Sequence, residues 1–248
     1  HDSSGSYWTD AQLTDAINQA RNRTALDSGS IRQLFNFYLS QSQEAYPYSG
    51  ALANLAVAAA GSGFTSAPAV SFTGGGGTGA TATAAISSGT LSSVTITANG
   101  TGYTSAPSVT LTGGGGATAT VSAAIMTAFD IMNITVNYSN SWITLAYTYF
   151  TEFQAKARFY RNVTGQPAVW SKGPPPTADG VDYFYIFQIP SMTYQCDIDA
   201  IVQPPALIDN TTAETLRFPY TDCVQYYAAY VAKYQQQQFN ESANFLRI

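Results

Sequence analysis

Apolar positions recur at helical spacing at the start of the chain and at alternate positions in several later segments. Leu13, Ala16, Ile17 and Ala20 share one helical face. Thr9 followed by Gln12 forms a capping box, and Trp8 with Leu13 takes the flanking positions of a hydrophobic staple, so a helix is predicted from Thr9 to about Leu26. Arg21 and Arg23 suit the C-terminal end of its dipole. Ser30 with Gln33 repeats the capping box, and Ile31, Leu34, Phe35, Tyr38 and Ala45 predict a second helix, stopped at Pro47 to Gly50.

The pattern changes at residue 61. GSGFTSAPAVSFTGGGG at 61–77 returns as GTGYTSAPSVTLTGGGG at 100–116, a period of 39 residues in which Phe64 matches Tyr103, Pro68 matches Pro107 and Val70 matches Val109. Within these units Val70 and Phe72, Ala80, Ala82 and Ala84, and Val94 and Ile96 alternate as in short strands joined by glycine turns. No Lys-Ser/Thr pair follows either glycine run, so the runs are turns or bulges and not phosphate cradles.

Beyond the repeats, Ile131, Ile134, Val136 and Tyr138, then Trp142, Ile143, Leu145 and Tyr147, predict a hairpin turning at Ser139 to Ser141. A helix should open at Thr151 and end near Asn162, with Phe153, Ala157 and Tyr160 on one side and Glu152 and Lys156 at i, i+4 spacing. PAVWSKG, YFYIFQIP and TYQCDIDAIVQPP read as three further strands parted by proline-rich turns, which predicts a five-stranded antiparallel sheet crossed by one helix. A long last helix is expected from Pro219 to about Phe245, with Val224, Ala228, Val231 and Gln235 on one face and Tyr226, Tyr230 and Tyr234 on a neighbouring stripe. The expected fold class is therefore α+β: a helical N-terminal pair and a long C-terminal helix around an antiparallel sheet. Residues 1–60 and 126–248 form one discontinuous domain, and the all-β repeat module at 61–125 is inserted in it.

Composition narrows the chemistry. Only 10% of the 248 residues are charged, and 15 acidic against 10 basic residues give a net charge of -5, the wrong sign for gripping a phosphate backbone. Nucleic acid is not expected as the main partner. No apolar run is long enough to span a bilayer, and the start HDSSGSYW lacks the basic and apolar regions of a signal peptide, so neither membrane insertion nor export by that route is expected. The single histidine is terminal, and Cys196 and Cys223 stand 27 positions apart, so neither a His-based catalytic relay nor a His/Cys zinc site can be assembled. The cysteines read as buried thiols. No cofactor, metal or catalytic activity is expected, and seven Asn-x-Ser/Thr matches, Asn22 and Asn99 among them, are what chance gives in so Thr-rich a chain.

Candidate chemistry is sparse. Asp197 and Asp199 alternate on a strand and share a face, as a carboxylate pair would, but a solvated strand face explains them equally. Lys156, Arg158 and Arg161 form a basic group on a helix. Tyr226, Tyr227, Tyr230, Tyr234 and Phe239 exceed what one buried face can hold, and excess aromatic surface asks for a partner. The run Gln235 to Gln238 carries that helix past any obvious core need.

The order of these parts resembles the head-to-tail connector (adaptor) proteins of tailed bacteriophages over residues 6–50 and 128–248. The resemblance is carried by the hairpin DIMNITVNY leading to the FTE helix, the strand from Ile189 to Tyr194, the loop Gln203 to Leu207, and the run VQYYAAYVAKY. The repeats depart from it and look like the GYTSAP-type repeats inserted in phage structural proteins. The resemblance implies a twelve-fold ring under the portal in the virion neck. In it, Tyr226, Tyr230, Lys233, Tyr234 and Phe239 contact the portal, Lys156, Arg158 and Arg161 meet a neighbouring copy, a tail or nozzle protein binds the other face, and DNA passes the lumen without specific binding. A virion-surface adhesin or carbohydrate-binding decoration protein, built from the repeats with Phe64 and Tyr103 as stacking platforms, is the alternative, although those rings also suit the cores of the repeats. A carboxylate-based glycosidase stands behind both.

Overall fold

The computed structural model describes residues 9–159, 163–174, 181–208 and 213–235. Helix α1 (Asp10–Ser28) leads into strands β1 (Arg32–Leu39), β2 (Ala45–Pro47) and β3 (Ser49–Ala59). The repeats hold β4 (Ala69–Thr73), β5 (Thr78–Ser87), β6 (Thr90–Thr101) and β7 (Ser108–Thr112), and β8 (Thr120–Tyr138) leaves them. After β9 (Ser141–Thr144), β10 (Ala146–Tyr147) and helix α2 (Phe150–Phe159) come β11 (Thr164–Gly165), β12 (Val169–Gly173) and β13 (Tyr183–Phe187). Finally β14 (Ile189–Pro190), β15 (Tyr194–Val202) and helix α3 (Thr221–Gln235) complete the order. The chain divides into two compact units, residues 1–33 with 201–248 and residues 34–200.

The described residues form fifteen strands and three helices, so the fold is mostly β, and the expected helical frame around one antiparallel sheet is corrected. The first helix forms as its caps dictate. Thr9 Oγ1 accepts from the Gln12 N–H at 3.3 Å, Gln12 Oε1 accepts from the Thr9 N–H at 3.0 Å, and Gly29 closes the helix in the left-handed region. Trp8, of the expected staple, lies outside the described residues. The second helix does not exist. Its residues form β1 and β2, because Phe35, Phe37 and Leu39 alternate into the core while Leu34 and Asn36 face outward. Phe37 meets Tyr46 and Phe184 with ring centroids 5.9 Å apart in each pair, and this non-local aromatic packing outweighs the local Ser30 and Gln33 capping signal. The last helix is described over 15 residues, Thr221–Gln235, so it begins two residues after Pro219; the expected run to Phe245 lies outside the described residues.

The expected five-stranded sheet is split. β8, β9 and β15 join β1 and β3 in one sheet of order β1-β15-β8-β3, with β9 on β8. β12 and β13 belong instead to a sheet of order β10-β12-β13-β2, in which β10 runs parallel to β12. The β8–β9 hairpin forms where expected, turning at Ser139 and Asn140, both at positive φ, but its second strand ends at Thr144, and Tyr147, expected in it, belongs to β10 of the second sheet. Phe150 and Phe153 of α2 cover the second sheet through Tyr185, at 5.1 and 6.0 Å. Both cysteines are free thiols; Cys196 is buried as expected, whereas Cys223 is exposed. No helix among the described residues is long and apolar enough to cross a membrane.

The repeats are built as one body with internal two-fold symmetry. β4 pairs antiparallel with β7 about the pair Ser71 and Thr110, which are equivalent positions of the two repeats. The duplication begins earlier than the sequence pattern showed: β3 with β8 corresponds to β6 with β5, and the Ser62 bridge to Ala117 matches the Thr101 pairing to Thr78. Leu52 and Leu55 in one half match Leu91 and Val94 in the other, and all four lie in a single core with Phe64 and Ile96. Each half closes the other. Thr65 N–H donates to Gly114 O and Thr104 N–H to Gly75 O, both at 2.8 Å. Phe64 lies over Gly116 and Tyr103 over Gly77 so closely that a Cβ on either glycine would fall 2.4 Å from the ring. The glycine runs are therefore turns, as expected, and also seats for the partner repeat's aromatic ring. Phe64 and Tyr103 are 6% and 5% exposed, so they fill the core and offer no stacking platform. Asn99 is buried too, with Nδ2 donating to the Leu52 carbonyl at 2.8 Å, which removes it as a glycan acceptor.

Gly116→Ala and Gly77→Ala should each destabilise unit 34–200 by about 1–3 kcal/mol, the usual cost of overpacking. Urea unfolding of the full chain checks this, and adding Phe64→Leu to Gly116→Ala, but not to Gly77→Ala, should recover part of the loss.

Candidate interface: a tyrosine-lined cleft

The unit made of residues 1–33 and 201–248 is held together from an unexpected place. α1 buries a face of small residues, Ala16, Ala20 and Ala25, with Arg21 among them, while Leu13 and Ile17 of the expected apolar face remain 39% and 37% exposed. Small side chains leave room for Arg21 to run along the helix surface into the interior. Its Nε and Nη2 donate to the two oxygens of Glu214 at 2.8 Å each, and Nη1 donates to Pro205 O at 2.9 Å and to Asn18 Oδ1 at 3.1 Å. Asn18 in turn donates from Nδ2 to Leu207 O and accepts from the Leu207 N–H at 2.8 Å. Arg21 thus serves a buried bidentate pair and not the helix dipole, and Arg23 pairs with Asp27 one turn on at 2.7 Å. The Gln203 to Leu207 loop, singled out in the sequence, is the backbone that Asn18 and Arg21 read.

This clamp orders the segments on both sides of residues 209–212 and so sets α3 against α1. Between the two helices opens a cleft of about 710 Å³. Arg23, Thr24 and Asp27 stand on one wall, and Tyr220, Asp222, Tyr226, Tyr227 and Tyr230 on the other. Tyr227 and Tyr230 stack at a tilt with centroids 5.5 Å apart, and Tyr230 continues to Tyr234 at 5.9 Å. The rings share a stripe because residues three and four apart in a helix lie one above the other.

The structure brings together Tyr226 and Tyr230 of the proposed portal contact. Tyr226 is 38% exposed and Tyr234, just past the cleft, 53%. Lys233 lies on the same helix, half-buried, and Phe239 is outside the described residues. Lys156 stands exposed on α2 in the other unit; the Arg158 side chain and Arg161 are outside the described residues. Asp197 and Asp199 do face the same way from β15, half-buried, and burial raises the Asp197 carboxyl above its ordinary range. The described residues contain no cluster of three or more side chains that could hold a metal ion. Sequence reasoning missed Tyr220, Arg23 and Asp27 as cleft residues and Arg21 with Glu214 as its foundation. The i, i+4 spacing of Arg23 and Asp27 was a readable signal; the partner of Arg21, 193 positions away, was not.

Burial pushes the Glu214 carboxyl up, but the Arg21 guanidinium and the N–H groups of Leu216 and Thr215 outweigh it and hold the group below the ordinary 4.5. A depressed carboxyl stabilises the fold above its unfolded value and loses that contribution as pH falls through the folded one. No family model matches the chain, and no curated protein matches it either.

Wild-type stability should therefore fall more steeply below about pH 4.5 than that of Glu214→Gln, whose urea midpoint is the reference. At pH 7 Glu214→Gln should cost up to about 3 kcal/mol, because it leaves the 1% exposed Arg21 without its counter-charge, and the 35% exposure of Glu214 keeps the loss from being larger.

Proposed function

We propose that the chain is a head-to-tail connector (adaptor) subunit of a tailed bacteriophage, a structural component of the virion neck. It assembles into a ring, twelve-fold by the resemblance, between the portal and a tail or nozzle protein. The observation that carries this reading is the distribution of exposed aromatic surface. On the unit formed by residues 1–33 and 201–248, Phe218 is 79% exposed, and Tyr226 and Tyr234 stand out from α3. On unit 34–200, Trp142, Tyr147 and Tyr149 are 46%, 48% and 69% exposed. A subunit in a closed ring needs unlike surfaces for its two neighbours, and one between two other assemblies needs further ones; aromatic rings supply interface area at low entropic cost. The α3 face with Tyr226, Tyr230, Lys233 and Tyr234 is assigned to the portal, together with Phe239 outside the described residues, and Lys156, Arg158 and Arg161 to the neighbouring copy. The excess of acids over bases supports a lumen that DNA crosses without adsorbing.

Light-scattering mass of the full chain, alone and mixed with the portal, tests the reading. The wild type should join the portal in a stoichiometric ring, and the truncated variant Tyr226→Ala/Tyr234→Ala should lose at least about tenfold in affinity, as expected when aromatic interface anchors are removed. A chain that stays monomeric and ignores the portal under all conditions tried contradicts it.

A further inference from the structure

We propose that the cleft between α1 and α3 is a guanidinium site, which takes an arginine side chain presented by a partner polypeptide. The identity of the partner rests on the connector reading; the chemistry of the site rests on the cleft alone. Its α3 wall offers the rings of Tyr220, Tyr226, Tyr227 and Tyr230. None of these four hydroxyls makes a hydrogen bond among the described residues, and the Asp222 carboxylate has no ion pair among them. The one cation in the lining, Arg23, is already held by Asp27 at 2.7 Å. The open wall therefore presents π faces, hydroxyl acceptors and one carboxylate, in the first turn of α3, that no cation among the described residues pairs with.

Three kinds of occupant can be compared on those terms. An apolar segment would cover Asp222 and the hydroxyls without giving them partners, which leaves polar groups desolvated and unpaired. An acidic segment would meet Asp222 and Asp27 with like charge. A guanidinium answers the rings, the hydroxyls and Asp222 together: it is planar, stacks on aromatic faces, is weakly hydrated, and carries five donors for hydroxyl and carboxylate oxygens. An ammonium supplies the charge but neither the plane nor the fork, so lysine is the poorer fit. A cleft of about 710 Å³ has room for the arginine with its flanking backbone.

The test is calorimetric titration of the full chain at low salt with acetyl-Gly-Arg-Gly-Arg-Gly-amide, and with its citrulline and lysine counterparts. The arginine peptide should bind saturably. The citrulline peptide, equal in shape but uncharged, should bind at least about tenfold more weakly, and the lysine peptide several-fold more weakly. Asp222→Asn and Tyr226→Ala should each weaken the arginine peptide by about fivefold, the scale of one charge-assisted or cation–π contact, while Tyr226→Phe keeps the ring and most of the affinity. Absence of saturable binding up to millimolar peptide, equal affinity for citrulline, or indifference to Asp222→Asn overturns the assignment. If the portal joins the intact chain while the arginine peptide shows no saturable binding or is indifferent to Asp222→Asn, the guanidinium site falls and the connector reading stands. If the peptide behaves as described while the portal never binds, the reverse holds.

Discussion

Two aromatic rings occupy the space where two side chains would otherwise begin. Phe64 covers Gly116 and Tyr103 covers Gly77, each ring belonging to one repeat and each glycine to the other, so neither half of the module can close by itself. The same reciprocity runs through the backbone bonds of Thr65 and Thr104 and the β4–β7 ladder. Its consequences reach beyond the module, because β3 and β8 bound the shared core and also continue into the five-stranded sheet. β8 is 19 residues long for this reason: its first part, paired with β3, completes the duplicated core, and its last part pairs with β9. A shift of one residue in β8 would turn every core side chain to the outside, and the symmetric core therefore fixes the register of the scaffold as well as its own.

The other unit solves a different problem with few apolar residues. Its core face on α1 is mostly alanine, which buries little area, and a buried ion pair with backbone acceptors takes the place of bulk packing. Such a pair adds little net stability compared with apolar side chains of the same size, but it is demanding about geometry, since Arg21 and Asn18 must find a particular carboxylate and particular carbonyls. Directional bonding of this kind suits a segment that has to hold an aromatic helix in a set position and leave its tyrosines uncovered.

Legibility in the sequence followed the range of the interactions concerned. The N-terminal cap, the two-residue hairpin turn and the 39-residue period are local, and Thr9, Gln12, Ser139, Asn140 and the glycine runs announced them. β1 was misread because Ile31, Leu34, Phe35 and Tyr38 satisfy a helical period as well as Phe35, Phe37 and Leu39 satisfy a strand period, and only the ring contacts with Tyr46 and Phe184 decide between them. The first ten residues of each duplicated half were invisible for a related reason: ALANLAV and TLSSVTI share an apolar pattern but hardly any residues, and pairing, not identity, makes them equivalent. The tyrosines of the cleft were readable as an aromatic excess. The cleft itself was not, because it depends on Arg21 meeting Glu214 across almost the whole chain.

Charge is distributed as unevenly as structure. Residues 45–129 contain no Asp, Glu, Lys or Arg, so all 25 charged side chains lie outside the duplicated module. A surface of Ser and Thr hydroxyls and short alanine side chains keeps such a module hydrated without producing a field at a distance, and it can neither steer a charged partner nor repel one. Any recognition that depends on charge must then fall to the remaining segments, where two of the five described acids on or beside α1 and α3 are matched by a cation, Glu214 by Arg21 and Asp27 by Arg23. Asp222 differs from Asp10 and Asp15, which also lack a cation among the described residues, in that it sits beside four tyrosines in the cleft, where the N-terminus of α3 favours its charge without pairing it.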